Sequence, residues 1–255
     1  MMIARYGMDI FAAAQMFEAP ARAICGQTDR VEALVAETDL HQDHLNIPAM
    51  RPYALIWGAV PLYYAGYIDQ ARARLAQGQA VADEQGAVFW QLTGAAWAHV
   101  MVDADSYSED HLAAFEGIVG TYEAIGANIG VPYFRSVYAS QLARSGNDSA
   151  AFDVSSVSVQ QSRESGLHFW YPEILRLHAG ICAKRGLHEE ALCAVDLAIE
   201  TAERKGAALW TLRALIERAA LAAPDTDRIE AALGRFAPGA TLPEIDRARA
   251  LLAAS

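Results

Sequence analysis

Apolar residues recur with the period of a helix through residues 187–206, charged residues occupy the opposite face, and a glycine ends the block. Glycine recurs in phase with that end, at intervals of 20 residues or a multiple of 20. The series consists of Gly26, Gly66, Gly86, Gly126, Gly146, Gly166, Gly186 and Gly206, with Asn46 and Ser106 in the two open places. Because glycine and asparagine adopt the left-handed conformation that ends a helix, the spacing predicts regular helix stops and an all-α fold.

The 20-residue blocks are of two kinds, A and B, which alternate, so the predicted repeat is a pair of helices over 40 residues. The A blocks are 47–66, 87–106, 127–146, 167–186 and 207–226. Three of them carry a proline at one offset, which a helix tolerates in its first turn: Pro52, Pro132 and Pro172. Three carry a tryptophan in the fourth place, just before that turn, where we expect it to wedge successive repeats together: Trp90, Trp170 and Trp210.

Small residues mark the places where the two helices of a repeat can approach closely. Ala179 and Gly180 lie on helix A, the turn 186–191 (GLHEEA) follows, and Ala191 and Ala198 lie on helix B. This order resembles the tetratricopeptide pattern, whose usual repeat is 34 residues long. We therefore expect a right-handed α-solenoid of tetratricopeptide-like helix pairs with a 40-residue period, in which stacking buries faces that one helix cannot bury alone.

The repeat also predicts the domain organisation, which we expect to be a single domain over 1–255. An N-terminal capping pair is predicted over 1–46, repeats over 47–226 and C-terminal capping helices over 227–255. The segment 155–162 (SSVSVQQS) is rich in serine, a weaker helix former. It predicts a polar helix B with the least stable packing of the array.

Composition excludes several classes of partner and indicates a compartment. A net charge of −11 argues against nucleic acid and against an anionic membrane, because both require clustered basic residues. Three cysteines without a Cys-x-x-Cys pair indicate reduced thiols and a cytoplasmic location. Asp9 and Glu18 interrupt the apolar N-terminal stretch, so we expect no signal peptide. The chain also has no apolar run of the roughly 18 residues that a membrane span needs.

Four segments carry a resemblance to a known family. They are 166–180 (GLHFWYPEILRLHAG), 186–191 (GLHEEA), 207–213 (AALWTLR) and 236–252 (FAPGATLPEIDRARALL). They resemble the C-terminal helical repeats of large bacterial signalling ATPases, in which a class III adenylate or guanylate cyclase domain or a DNA-binding domain precedes a P-loop ATPase module. The resemblance implies a sensory or regulatory module. The chain itself lacks the Gly-x-x-x-x-Gly-Lys-Ser/Thr motif of a P-loop and is too short to add a cyclase domain to its repeats.

In tetratricopeptide folds helix A lines the concave face, and this resemblance implies a set of candidate binding residues. It places Glu173 and Arg176 in the groove, with Tyr53, Tyr133 and Arg213 at places equivalent to Glu173. Such side chains can hold an extended peptide or a small polar ligand. The alternative is that Glu173 and Arg176, three residues apart on one helix, merely pair with each other for about 0.2–0.5 kcal/mol.

Histidines and cysteines raise the question of a metal site, which we expect to be absent. His178, Cys182, His188 and Cys193 flank one turn, but a tetrahedral site requires converging ligands, and Cys193 is expected on the far side of helix B. The pair His41 and His44 is expected on a solvated helix end. We predict neither a catalytic residue nor a cofactor, because no nucleophile motif is present.

The leading functional hypothesis is a non-catalytic, cytoplasmic binding or regulatory module. Its partner is expected to be a protein, a peptide or a regulatory small molecule in signal transduction linked to a cyclase or an ATPase. An alternative is a homo-oligomerisation scaffold that associates through an exposed face bearing Tyr63, Tyr64 and Tyr67. A third hypothesis, an enzyme on a helical scaffold, requires a buried acid–base pair such as Glu173 and Arg176.

Overall fold

A computed structural model describes residues 9–103, 106–166 and 168–254, and it confirms the all-helical class, since none of these residues forms a strand. The described helices are α1 (Ile10–Ile24), α2 (Val31–Leu45), α3 (Arg51–Tyr64), α4 (Ile68–Glu84), α5 (Val88–Val100), α6 (Glu109–Ala124), α7 (Val131–Arg144), α8 (Asp148–Glu164), α9 (Tyr171–Lys184), α10 (His188–Arg204), α11 (Ala208–Ala219), α12 (Thr226–Leu233) and α13 (Pro243–Ala254). None of these helices combines the length and the apolar character that a bilayer span requires.

The in-phase glycines end the helices in the predicted conformation. All eight have positive φ, between 62° and 91°, and Asn46 joins them at 48°. After Gly186, the Leu187 N–H donates to the Cys182 carbonyl at 2.9 Å. This is the hydrogen bond of a Schellman motif that joins residues five apart in the sequence. Asn46 is the one non-glycine residue of the described chain with positive φ, so the place held by Ser106 is not a left-handed stop.

The described residues pack as two compact units. The N-unit contains Met1–Met101, as far as it is described, together with Arg235–Leu242. Within it, α3 contacts α1, α2, α4 and α5. The C-unit contains Val102–Gly234 with Pro243–Ser255, again as far as described. Within it, α7 contacts α9 and α9 contacts α11, while each also packs on the helix B that follows it.

Small residues bring paired helices close together, as the sequence predicts. Ala179, Ala191 and Ala198 are fully buried in the C-unit. In the N-unit, a Cβ added to Gly78 on α4 would lie 2.7 Å from the Ile56 side chain and 3.1 Å from the Ile56 backbone nitrogen. The α3–α4 distance therefore requires a residue without a side chain at this position.

The three prolines lie where the sequence predicts, whereas two of the three tryptophans do not. Each proline lies in the first turn of its helix, α3, α7 or α9, as expected. Trp170 precedes α9, but Trp90 and Trp210 lie inside α5 and α11, so their predicted place before the first turn is wrong. These two blocks lack the proline, and their helices begin two residues after the left-handed glycine.

The serine-rich segment forms the continuous helix α8, and its serines face inward. Ser155, Ser158 and Ser162 are buried. The Ser158 Oγ donates to the Pro132 carbonyl and lies 2.6 Å from the Ser136 Oγ on α7. Hydroxyl groups therefore take the place that apolar side chains hold in α10. Hydrogen bonds compensate for the burial of Ser155 and Ser158, whereas the buried Ser162 Oγ has no partner within the described residues.

A segment from near the end of the chain, Arg235–Leu242, belongs to the N-unit. The Ala237 N–H donates to the Gly26 carbonyl at 2.8 Å. Leu242 is buried and lies against Gly66, where an added Cβ would meet the leucine side chain at 3.2 Å. Gly26 and Gly66 therefore do more than end α1 and α3, because this return segment (Arg235–Leu242) passes directly over both.

Two glycine-to-alanine substitutions should change stability in opposite directions. Gly186→Ala should lower the free energy of unfolding by about 1–2 kcal/mol, because alanine is strained at positive φ, although nothing lies within 4 Å of the added methyl. Gly120→Ala, in the exposed interior of α6, should raise it by about 0.5–1 kcal/mol. Urea unfolding followed by circular dichroism measures both, and changes of equal sign would contradict this account of the glycine series.

Candidate functional site

Residues on α9, α11 and α13 form a line of alternating charges in the C-unit. Arg213 on α11 donates from Nη1 to Oε1 of Glu173 on α9 at 3.2 Å. Its Nε donates to Oε1 of Glu244 on α13 at 2.7 Å. Glu173, Arg213 and Glu244 therefore make a minus–plus–minus series across three helices, which we call the ion-pair ladder.

Arg176 braces the ion-pair ladder from the side. Its Nε and Nη2 donate to the two carboxylate oxygens of Glu173, both at 2.9 Å. Its Nη1 donates to Glu217 Oε2 on α11, also at 2.9 Å. Gly180 leaves the space for this carboxylate, because a Cβ there would lie 2.9 Å from Glu217 Oε1. The predicted pairing of Glu173 with Arg176 is thus present, but it is one part of a larger network.

Two carboxylates of the ion-pair ladder, Glu173 and Glu244, are held ionised because their pKa values are lowered. Burial alone raises the pKa of Glu173, which is only 4 % exposed, but the positive charges of Arg176 and Arg213 outweigh that effect and bring it below its usual value. Arg213 likewise outweighs burial and lowers the pKa of Glu244. An ionised Glu173 has no proton to donate at neutral pH, and both of its oxygens accept hydrogen bonds from the arginines.

The two tyrosine candidates are packed against the tryptophans of the next A block. Tyr133 stacks on Trp170 with ring centroids 5.2 Å apart and planes inclined by 15°. In the N-unit, Tyr53 is tilted against Trp90 at 5.2 Å and belongs to the core cluster around Met16. Burial and then the charge of Asp9 raise the pKa of Tyr53 to about 12, so its phenol stays neutral.

The structure brings together Glu173, Arg176 and Arg213 in the C-unit, whereas Tyr53 belongs to the N-unit. Whether these residues bind a ligand stays a prediction. The sequence analysis missed Glu217 and Glu244. A signal for Glu244 is present, because the Pro–Glu pair at 172–173 recurs at 243–244. Nothing in the local sequence marks Glu217.

The histidines and cysteines do not converge on one point. His178 lies between the Ser155 Oγ, 2.8 Å from Nδ1, and the Cys182 Sγ, 3.4 Å from Nε2. Burial raises the pKa of the Cys182 thiol to about 11, with a smaller contribution from Glu190, so the thiol is protonated. Cys193 is exposed on α10. Within the described ranges, no three His, Cys, Asp or Glu side chains are arranged to hold a metal ion.

Two smaller expectations need correction. His41 is not simply solvated, because its Nε2 lies 2.7 Å from Oδ2 of Asp9, the N-cap residue of α1. Tyr64 is fully buried with its ring edge-on to Trp97, so it cannot form an exposed face with Tyr63 and Tyr67. In both cases a partner distant in the sequence buries a side chain that the local pattern leaves outside.

Comparison with protein-family models gives no match, and no curated protein matches the chain. The resemblance to signalling ATPases therefore stays a prediction that depends on the segments 166–180, 186–191, 207–213 and 236–252.

Removing the central charge of the network should be costly. Glu173→Gln should lower the free energy of unfolding by about 3 kcal/mol at neutral pH, because it leaves Arg176 and Arg213 without their shared buried carboxylate. Glu200→Gln, on the exposed face of α10, is the matched control and should change it by less than about 0.5 kcal/mol. Denaturant titration measures both, and equal effects would show that Arg176 and Arg213 do not depend on the charge of Glu173.

The contribution of Glu173 to the free energy of unfolding should depend on pH. The pKa of Glu173 is lower in the folded chain than its ordinary value of 4.5, so its stabilisation is complete above that value and is lost as the pH falls through the folded-state value. The native chain should therefore lose more stability than Glu173→Gln between about pH 5 and about pH 3. Parallel unfolding curves across that interval test this, and identical losses would mean that Glu173 does not titrate as described.

Proposed function

We propose that the chain is a non-catalytic module of tetratricopeptide-like helix pairs that binds a protein segment or a regulatory ligand in signal transduction. The observation that carries the proposal is a recurring exposed apolar side chain at the third place of the A blocks. Phe89 is 45 % exposed, Ile129 is 67 % exposed and Phe169 is 40 % exposed. Large apolar side chains that recur at the solvent-facing side of a fold are typical of interaction surfaces.

The two phenylalanines have the same local support, one in each compact unit. Phe89 contacts Trp90 edge-to-face with ring centroids 4.9 Å apart, and Phe169 contacts Trp170 in the same way at 4.9 Å. Leu209 holds the equivalent place in α11 and is fully buried, so this position is not exposed by necessity. A rigid aromatic side chain held outward gives a partner a large contact area at a low cost in conformational entropy.

The ion-pair ladder has a supporting part in this proposal. It ties α9, α11 and α13 to one another and so fixes the spacing of the A helices. A ligand that contacts Glu173 directly has to displace an arginine, because this carboxylate side chain is only 5 % exposed and is enclosed by hydrogen bonds from two arginines. We therefore propose that a protein partner binds first to the exposed aromatic residues rather than to the ionised carboxylate.

The link to a cyclase or an ATPase is proposed from the sequence resemblance, and the right-handed solenoid and cytoplasmic location are proposed with it. Self-association through the exposed phenylalanines is the second candidate function. The same aromatic side chains favour it, because an exposed apolar side chain of one copy can be buried against the same side chain of a second copy.

Site-specific photocrosslinking in living cells tests the proposal. A benzoylphenylalanine residue in place of Phe89 or Phe169 should give covalent adducts on irradiation, because these rings are exposed. The same residue in place of Glu200, exposed on α10, is the control and should give none. Mass spectrometry of the adducts then identifies the partner, and an adduct of two copies of this chain would favour the oligomeric function. Adducts that are absent, or as abundant at the control position, would refute both.

A further inference from the structure

A cavity of about 330 Å³ lies within the N-unit between α2, α3 and α4. Its volume is near the lower end of the range of about 300–1,000 Å³ that is usual for small-molecule sites. Two carboxylates and two guanidinium groups line it, namely those of Asp39, Asp43, Arg51 and Arg74. None of the residues predicted from the sequence to bind a ligand takes part, so this is a separate candidate site.

The inner wall of the cavity is a fixed ion pair. Arg74 donates to both carboxylate oxygens of Asp39, at 2.8 and 2.5 Å, and to the Ala54 carbonyl at 3.2 Å. The Arg74 side chain is only 12 % exposed and lies flat on α3, where a Cβ at Gly58 would come within 2.5 Å of its Nε. The Asp39 carboxylate is therefore held in place before any ligand arrives, which lowers the entropic cost of binding.

The mouth of the cavity has a second ion pair of a different kind. The Arg51 and Asp43 side chains are both largely exposed, and their charged atoms are 3.8 Å apart. Such a pair contributes little to stability, so either partner can turn towards a ligand at low cost. Gln42, which also lines the cavity, is nine-tenths buried, and its Oε1 has no hydrogen-bond partner within the described part of the chain.

These groups select for a ligand with both charges. A phosphate or a nucleotide would meet the carboxylates of Asp39 and Asp43, and a polyamine would meet Arg51. A zwitterion satisfies each, because its ammonium group can donate to the carboxylates and its own carboxylate can accept from Arg51. An apolar part of the remaining wall is formed by Ile47, Pro48 and Leu55, beside the polar side chains of Asn46 and Gln77.

We propose that this cavity binds a free amino acid with an aliphatic side chain. The ammonium group contacts Asp39 and Asp43, the carboxylate contacts Arg51, and the aliphatic chain packs on the apolar wall. The inference rests on the proposed function, since it assigns a chemical class and a place to the regulatory ligand of that function.

Three probes of nearly equal size test the requirement for two charges by calorimetric titration of the full chain. They are L-leucine, leucinamide, which lacks the carboxylate, and 4-methylpentanoate, which lacks the ammonium group. L-leucine should bind with a dissociation constant below about 1 mM. Each analogue should bind about tenfold more weakly, because each loses one charged hydrogen-bonding group. No saturable binding of L-leucine, or equal binding of all three probes, would overturn the proposal.

Two variants then assign each charge to its partner. Arg51→Gln should weaken L-leucine about tenfold and abolish the preference for leucine over leucinamide. Asp43→Asn should also weaken L-leucine about tenfold, and it should abolish the preference for leucine over 4-methylpentanoate. Both side chains are exposed, so the fold should be retained, and circular dichroism checks this. Arg30→Gln and Asp69→Asn, at exposed positions outside the cavity, are the charge-matched controls and should leave affinity unchanged. A loss of affinity that is equal in all four variants would overturn the assignment.

The crosslinking experiment and the titration test the two proposals independently. Adducts at Phe89 or Phe169 without leucine binding would remove the ligand site and keep the partner surface. Leucine binding without adducts would keep the ligand site and remove the partner surface.

Discussion

The left-handed glycine or asparagine that ends most of the described helices is the constraint on which the other features depend. A glycine or asparagine with positive φ stops the helix at a fixed interval, so the chain turns back after a constant length. Helices of matched length then pack in pairs through small residues such as Gly78 and Ala198. Residues at one place in successive A helices consequently meet, and Glu173 and Arg213 are in contact for this reason.

The ion-pair ladder depends on this regular packing, and it contributes more to the alignment of the helices than to the net free energy of unfolding. Taking charges out of water costs free energy that the attraction between them largely offsets, so such networks chiefly penalise arrangements that leave a charge unpaired. A shift of α11 along α9 would separate Arg213 from Glu173, and a shift of α13 would separate Arg213 from Glu244. The alternating charges therefore favour one alignment of three helices, which the apolar contacts alone would define less sharply.

Local backbone rules made the helix stops and the first-turn prolines predictable, because positive φ and the proline ring act within a few residues. The same rules could not place Glu244, since α12 is much shorter than α10 and the repeat loses its phase before Pro243. The prediction that Tyr64 is exposed was wrong, because Tyr64 is buried against Trp97, and a local pattern does not reveal a contact with another helix. The cavity beside Arg74 was missed because three helices contribute to it, each with an unremarkable sequence.

The return segment has a consequence for biosynthesis. Helices α1 to α5 leave the ribosome long before Arg235–Leu242, although these residues complete the same compact unit. A nascent chain therefore carries α1 and α3 with Gly26 and Gly66 uncovered while more than a hundred further residues are translated. Within this chain, translation of the N-unit begins before that of the C-unit but ends only after most of the C-unit has been made. This differs from the usual order, in which N-terminal domains fold first during synthesis.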